Sequence, residues 1–388
     1  LDVKKSYHNG IAVNGHYNII EHCATFENRN TGLQLGNGAS YNTIRNCDSF
    51  FNYDPPSGGN ADGFAPKLDV GTGNSFYGCR AWQNSDDGWD GYLRPAENVT
   101  TVIENCWSFM NGYLRDNSVI ATGNGNGFKM GGGDTSNKDS LRHNVTLTRC
   151  LAFDNRVKGF DQNNNRGTMV LLHCTGYRNG AENYKVSSFI RASESLVVKN
   201  SLELGNKVNL AGFARQTTNS WTIPLAVSEA DFASLDTTGI RGPRKPDGSL
   251  PDVPFLRLSA GSSAVNAGTD IGFAFNGPAP DLGAFEYTAP AGLPDQEMTA
   301  PQQFSLLQNY PNPFNPSTTI VYRIADDAVV RLAVYDLLGR EIALLAEGFR
   351  SRGEYSVHLD ARDLAGGIYL CRLSAGPHTS TRRMVMLK

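Results

Sequence analysis

No run of about 20 apolar residues occurs in the chain, so nothing in it reads as a membrane-spanning helix. An excess of basic residues is also missing. With 35 Lys and Arg against 38 Asp and Glu, the net charge of −3 argues against nucleic acid as a partner. The opening Leu1-Asp2-Val3-Lys4-Lys5 carries no charged-then-apolar leader. Apolar residues nowhere recur at helical spacing, which excludes a helix bundle, and the leucine skeleton of a leucine-rich repeat is absent.

The chain is instead rich in glycine (41 residues) and asparagine, and it repeats internally from about Asn9 to Asn206. Each copy reads Gly-apolar, a polar turn, an alternating apolar stretch ending at cysteine, then small-x-aromatic and asparagine. The spacing is 24 residues from Cys23 to Cys47 and 27 from Cys79 to Cys106. Cys23, Cys47, Cys79, Cys106, Cys150 and Cys174 are each followed five residues later by Asn28, Asn52, Asn84, Asn111, Asn155 and Asn179. A seventh copy has Ser201 and Asn206. Six cysteines at one repeat position predict a column of buried thiols, small hydrophobes rather than a disulfide framework. Short apolar alternations split by turns are strands. About three of them per period make one coil of a parallel β-helix, rising about 4.8 Å. Stacked asparagines then satisfy one another between coils.

The longer intervals Cys47 to Cys79 and Cys106 to Cys150 hold the insertions 55–59, 115–125 and 131–140. In a solenoid these emerge as loops on the binding face. The repeat is already running by Asn9, so further N-terminal coils are expected to precede it. Residues 207–290 lose the repeat and read as closing coils with a cap. This gives a β-helix domain over 1–287 and an Ala/Pro-rich linker over 288–303. A third segment, 304–388, alternates like about seven short strands of an immunoglobulin-like β-sandwich. The fold class is all-β.

One fragment recurs with changes of charge: Asp62-Gly63-Phe64-Ala65, Asp87-Gly88-Trp89-Asp90 and Asn126-Gly127-Phe128-Lys129. If each copy opens one coil, Asp62 stacks on Asp87, and Ala65, Asp90 and Lys129 stack in turn. Asp62, Asp86, Asp87 and Asp90 then crowd one patch with Lys129 beside them. Empty, such carboxylates repel by about 3 kcal/mol per pair at roughly 5 Å and an effective dielectric near 20. Hard oxygen donors in that number suit Ca2+. An isolated Asp-Gly is more often only a turn; the full set beside Lys129 points to a cation site with a base. Trp82, Trp107 and Phe109 follow the cysteine column and read as core rather than as sugar platforms.

Asn60-Ala61-Asp62-Gly63-Phe64, the stretch Gly78 to Asp90 and Asn126-Gly127-Phe128-Lys129 together resemble polysaccharide lyase family 9, the pectate lyases with a right-handed parallel β-helix. The resemblance covers roughly residues 7–290. It implies a Ca2+-dependent lyase acting on polygalacturonate, pectin or a related uronate polymer by β-elimination. Asp62, Asp86, Asp87 and Asp90 are then metal ligands, and Lys129 the Brønsted base that removes the C5 proton. A lysine base with an ordinary value near 10.4 implies an alkaline optimum. Lys67, Arg80, Lys158 and Arg166 are candidates for gripping uronate carboxylates.

Two rivals stand beside this reading. One is a polygalacturonase-type hydrolase, whose Gly-His-Gly and Arg-x-Lys motifs are missing here. The other is a non-catalytic β-helix that binds polysaccharide as an adhesin, with calcium purely structural.

In the tail, Leu307-Gln308-Asn309-Tyr310-Pro311-Asn312-Pro313-Phe314-Asn315-Pro316, Val334-Tyr335-Asp336-Leu337-Leu338-Gly339-Arg340 and the terminal Met386-Leu387-Lys388 look like a type IX secretion sorting domain. That implies the type IX machinery as a partner and a secreted or cell-surface product of a Gram-negative bacterium. A monomer is expected.

Overall fold

Strict alternation within very short strands decides the architecture. Three-residue segments such as Leu33–Leu35 bury their first and third side chains and turn the second outward. The computed structural model describes residues 1–119, 122–134, 136–288, 304–309, 312–350, 353–362 and 364–387. Among them are three parallel sheets of eight strands each, wound as a right-handed β-helix. The first sheet runs from Asp2–Lys4 to Leu202–Leu204 and takes up the residues after each cysteine. The second runs from Ile11–Val13 to Val208–Leu210 and includes Phe64–Pro66, Trp89–Asp90, Phe128–Lys129 and Phe160–Asp161. The third runs from Ile19–Glu21 to Arg215–Thr217.

Columns of like residues hold the coils in register. Asn28, Asn52, Asn84, Asn111 and Asn155 each donate their side-chain amide to the carbonyl of the next member, over 2.8–3.0 Å, ending on Asn179. The column then departs from expectation. Asn179 donates to Asn183 at 2.7 Å and Asn183 to Glu203 at 2.9 Å, whereas exposed Asn206 offers Glu203 only its backbone N–H. The Glu203 carboxylate closes the column because it accepts without needing a further neighbour. A second ladder, Asn18 to Asn42 to Asn74, braces another corner and was not anticipated. Cys47, Cys79, Cys106, Cys150 and Cys174 are buried thiols in one inner column, and Ser201 continues it by accepting from the Cys174 N–H.

Aromatic rings stack on both sides of the wall. Inside, Phe64, Trp89, Phe128, Phe160 and Tyr184 lie 4.7–5.3 Å apart, centroid to centroid. Outside the first sheet, Phe26, Phe50, Trp82, Phe109 and Phe153 form a second stack. The segment after Thr217 covers this outer stack. Trp221 closes the end against Tyr184. The chain then runs back along the first sheet, with Phe232, Ile240, Leu250, Phe255 and Leu282 packed on the outer rings. Residues 219–287 are thus mainly a lateral strap rather than an end cap. Trp82, Trp107 and Phe109 are buried as expected, but beneath this strap instead of inside the coil.

The C-terminal segment is a separate compact unit. Ser305–Leu306, Ser317–Ile324 and Gly353–Asp360 form one antiparallel sheet. Ala328–Tyr335, Glu341–Arg350, Gly367–Ala375 and His378–Met386 form another. Both contribute to one core around Leu306, Ile320, Tyr322, Leu332, Leu373 and Met384, a β-sandwich. Apart from Thr288, the expected linker lies outside the described residues, as do Tyr310, Pro311 and Lys388 of the sorting motif. No helix among the described residues is long and apolar enough to cross a membrane.

Candidate active site

The recurring fragment folds as its alternation requires. Phe64 stands opposite Trp89 and Trp89 opposite Phe128, all pointing inward. Their neighbours point outward, which sets Asp90 opposite Lys129 and Lys129 opposite Asp161. The glycines permit the close stacking of coils. A Cβ on Gly88 would sit 1.9 Å from Ser108 Oγ and 2.7 Å from the Gly127 carbonyl. One on Gly63 would lie 2.7 Å from the Gly88 carbonyl, so neither position tolerates a side chain.

At the turn before the first two of these strands a carboxylate replaces the asparagine-type brace. Asp62 Oδ1 accepts the Asp87 N–H at 3.2 Å, and Asp87 Oδ1 accepts the N–H and the side-chain amide of Asn126 at 2.8 and 2.9 Å. Thr31 donates to Asp62 Oδ2 at 3.2 Å, and the Tyr92 N–H to Asp90 Oδ1 at 3.0 Å. Asp62, Asp87 and Asp90 each present an oxygen within 4.8 Å of the others. Asp86 is buried next to them but outside that trio, its Oδ1 taken by the Asn124 N–H at 2.5 Å. Asp87 Oδ2 is fully buried and pairs with Lys129 Nζ at 3.1 Å.

Two ammonium groups balance the cluster. Lys129 Nζ lies 3.1 Å from Asp87 and 3.3 Å from Asp90, and Lys67 Nζ lies 2.5 Å from Asp62 and 3.4 Å from Asp90. Burial opposes protonation of Lys129, but the carboxylates of Asp90, Asp87, Asp86 and Asp62 outweigh it and hold its pKa well above the ordinary lysine value. Burial raises Asp62, Asp86 and Asp87, with neighbouring carboxylates adding to the effect. Asp90 falls below the usual range, because the two ammonium groups outweigh its burial. When all four are ionised, as they would be around a bound cation, four carboxylates against two ammonium groups leave a deficit of two positive charges. An all-oxygen set of converging carboxylates fits a hard divalent cation.

Beside Lys129 opens a cleft of about 370 Å3, lined by Tyr92, Asn126, Asp134, Lys158, Asp161 and Asn164 among others. The insertions 115–125 and 131–140 contribute to its wall through Asn124 and Asp134. A larger cavity of about 530 Å3, around Phe51, Tyr53 and Leu114, contains none of the charged cluster.

The four residues expected to grip substrate divide. Lys158 lines the cleft, paired with Asp161 at 3.0 Å. Lys67 is buried within the acidic cluster, its side chain 9% exposed. Arg80 is displaced from the expected role: it pairs with Asp48 at 2.7 and 2.9 Å and donates to the carbonyls of Ile240 and Gly242, clamping the strap on the first sheet. Arg166 is also buried, holding Asp139 and the Phe189 carbonyl outside the cleft. Tyr92 and Asp134 were not singled out in the sequence, and Asn126 was noted only as part of the recurring fragment, without a role. Asn126 was legible as the third member of the Asp62, Asp87 column; the other two enter only through folding.

Residues 1–209 match the family model described as "Pel9A-like, right handed beta helix region", and residues 308–387 match "Secretion system C-terminal sorting domain". The chain is 44% identical to pectate lyase L of Dickeya dadantii over 288 residues, covering 74% of this chain and 65% of that one. It is 36% identical to pectate lyase L of Paenibacillus polymyxa, over 70% of this chain and 62% of that one. The chain thus spans about two thirds of the length of these relatives, just short of it in both. Among solved structures it resembles pectate lyase Pel9A with 43% identity and a TM-score of 0.68, covering 74% of this chain and 70% of that one. It also resembles a rhamnogalacturonan lyase with 29% identity and a TM-score of 0.50, covering 67% and 69%.

Proposed function

Because the chain belongs to the Pel9A-like right-handed β-helix family, we infer that it is a calcium-dependent pectate lyase cleaving polygalacturonate by β-elimination. The observation that carries this is the register pair Asp90 and Lys129, set against the buried trio of carboxylates and opening on a cleft. Asp62, Asp87 and Asp90, with Asp86 behind them, would hold the ion. Bound calcium would neutralise the C6 carboxylate of a galacturonate and so make its C5 proton more acidic.

Lys129 is the base in this reading. Its Nζ takes the C5 proton, the C–H electrons form the C4–C5 double bond, and the glycosidic oxygen leaves C4 with its bonding pair. The near-complete burial of its carboxylate partners keeps Lys129 in one geometry. Lys158, which lines the cleft one coil further on, would orient a second uronate carboxylate. The C-terminal unit matches a sorting domain, and sorting domains imply secretion. We read it more finely as a type IX address of a Gram-negative, Bacteroidetes-type cell.

The test is ultraviolet absorbance during incubation with polygalacturonate, with calcium and then with a chelator. Elimination leaves an absorbing unsaturated uronate; hydrolysis does not. A calcium-dependent rise is expected. Reducing ends without absorbance would instead indicate a hydrolase, and binding without cleavage an adhesin. The likeness to a rhamnogalacturonan lyase favours one alternative substrate, so rhamnogalacturonan belongs in the same assay.

A further inference from the structure

Lys67 stands inside the acidic cluster, yet no step of the reaction above uses it. It follows Pro66 at the end of strand Phe64–Pro66, and its side chain turns back under the cluster. Nζ lies 2.5 Å from Asp62 Oδ2 and 3.4 Å from Asp90 Oδ2, and it donates to the Asn60 carbonyl at 3.5 Å. Asp90 is thereby shared, with Oδ2 toward Lys67 and Oδ1 toward Lys129. A buried ammonium persists only where carboxylates pair with it. Such burial and pairing do not suit a side chain that grips a polymer.

Asp62 and Asp90 also belong to the trio whose oxygens converge within 4.8 Å, together with Asp87. Calcium takes carboxylate oxygens at about 2.3–2.6 Å. Lys67 and a divalent cation on this trio therefore draw on the same two carboxylates, and at such separations their positive charges repel strongly. We propose that Lys67 is a resident counter-cation. It neutralises Asp62 and Asp90 while the site is metal-free and competes with calcium for them, weakening the site's affinity. This inference rests on the cation-binding reading of the cluster. Two consequences of opposite sign follow. Removing Lys67 leaves four carboxylates facing one ammonium, so the metal-free fold loses stability. The calcium-bound fold loses a repulsive neighbour, so the ion binds more tightly.

The test uses the full chain and its Lys67→Met variant, which keeps the aliphatic stem and drops the charge. Calcium is titrated calorimetrically into both after chelation, and thermal unfolding is followed with and without the ion. Lys67→Met is expected to bind calcium at least tenfold more tightly, about 1.4 kcal/mol. It should also unfold at a lower temperature when metal-free and gain more from calcium than the parent does. Affinity that is unchanged or weaker in the variant overturns the proposal. Should Lys67→Met fail to fold without the ion, Lys67→Gln is prepared in calcium and titrated with a chelator of known affinity. Stronger retention than in the parent then supports the proposal, and equal or weaker retention overturns it. If neither parent nor variants bind calcium, the cation reading fails, and this inference fails with it.

Discussion

Lys129 cannot act as a base while protonated, and its surroundings favour protonation. The carboxylates of Asp90, Asp87, Asp86 and Asp62 hold its pKa well above the ordinary value in the metal-free site. A dication among those carboxylates cancels that pull. Two outcomes follow. At saturating calcium, kcat/KM on polygalacturonate rises from neutral toward alkaline pH, and lowering the calcium concentration moves the rise to higher pH; a pH–rate series checks this. Replacing Lys129 with Met lowers turnover by about 10²–10⁴-fold, the usual weight of a positioned base, while calcium binding persists. A variant that loses both together would make Lys129 a structural partner of Asp87 and Asp90. These residues were legible because the fragment repeats: Asp62 over Asp87 and Asp90 beside Lys129 follow from copy alignment alone. Lys67 and Arg80 were not, since a basic residue near a motif looks the same in sequence whether it faces a cleft, a cluster or a strap.

At the scale of the coil, the asparagine column is the register device. Asn111 accepts from the backbone and side chain of Asn84 at 3.3 and 3.0 Å and donates to Asn155 at 2.9 Å, all in buried surroundings. Asn111→Ala removes the acceptor of the Asn84 backbone N–H and of one of its amide bonds where water cannot reach, and unsatisfied buried groups cost about 1–3 kcal/mol each. A loss of at least about 2 kcal/mol in urea unfolding is expected, against little change for an exposed control such as Asn14→Ala. The column was visible in the sequence down to Asn179. Its end was not, because Asn183 and Glu203 occupy the last rung for a local reason, the lack of another coil to receive an amide.

Across the whole molecule, the strap decides what is exposed. It covers the outer aromatic stack of the first sheet and leaves the second sheet to carry the cleft. His173 is buried under its later part, and burial, aided by Arg149, pushes the imidazole down to about 4. In the unfolded chain it titrates near 6.5. The unfolded state therefore takes up a proton first as pH falls. Stability is full above about 6.5 and declines toward about 4, by at most about 3 kcal/mol for this group. Glu286, which burial raises to about 7, acts in the opposite sense over part of that window, since its folded form binds the proton first. The clean readout is thus a difference: between pH 7 and 4, His173→Gln should lose less stability than the parent. Equal losses would mean that His173 stays neutral in neither state or in both.

Periodicity of glycine, asparagine and cysteine dictated the coil, because each coil must bury the same kind of side chain at the same station as its neighbours. Alternation then dictated that Phe64, Trp89 and Phe128 face inward while Asp90 and Lys129 face outward in register. These are local or nearest-neighbour constraints, and a repeating chain displays them openly. The strap, the burial of Arg80 beneath it and the capture of Asp86 by the insertion at Asn124 depend on contacts with segments outside the repeat. Such contacts are settled by which surfaces remain uncovered after the coil has formed, and only the folded chain defines those surfaces.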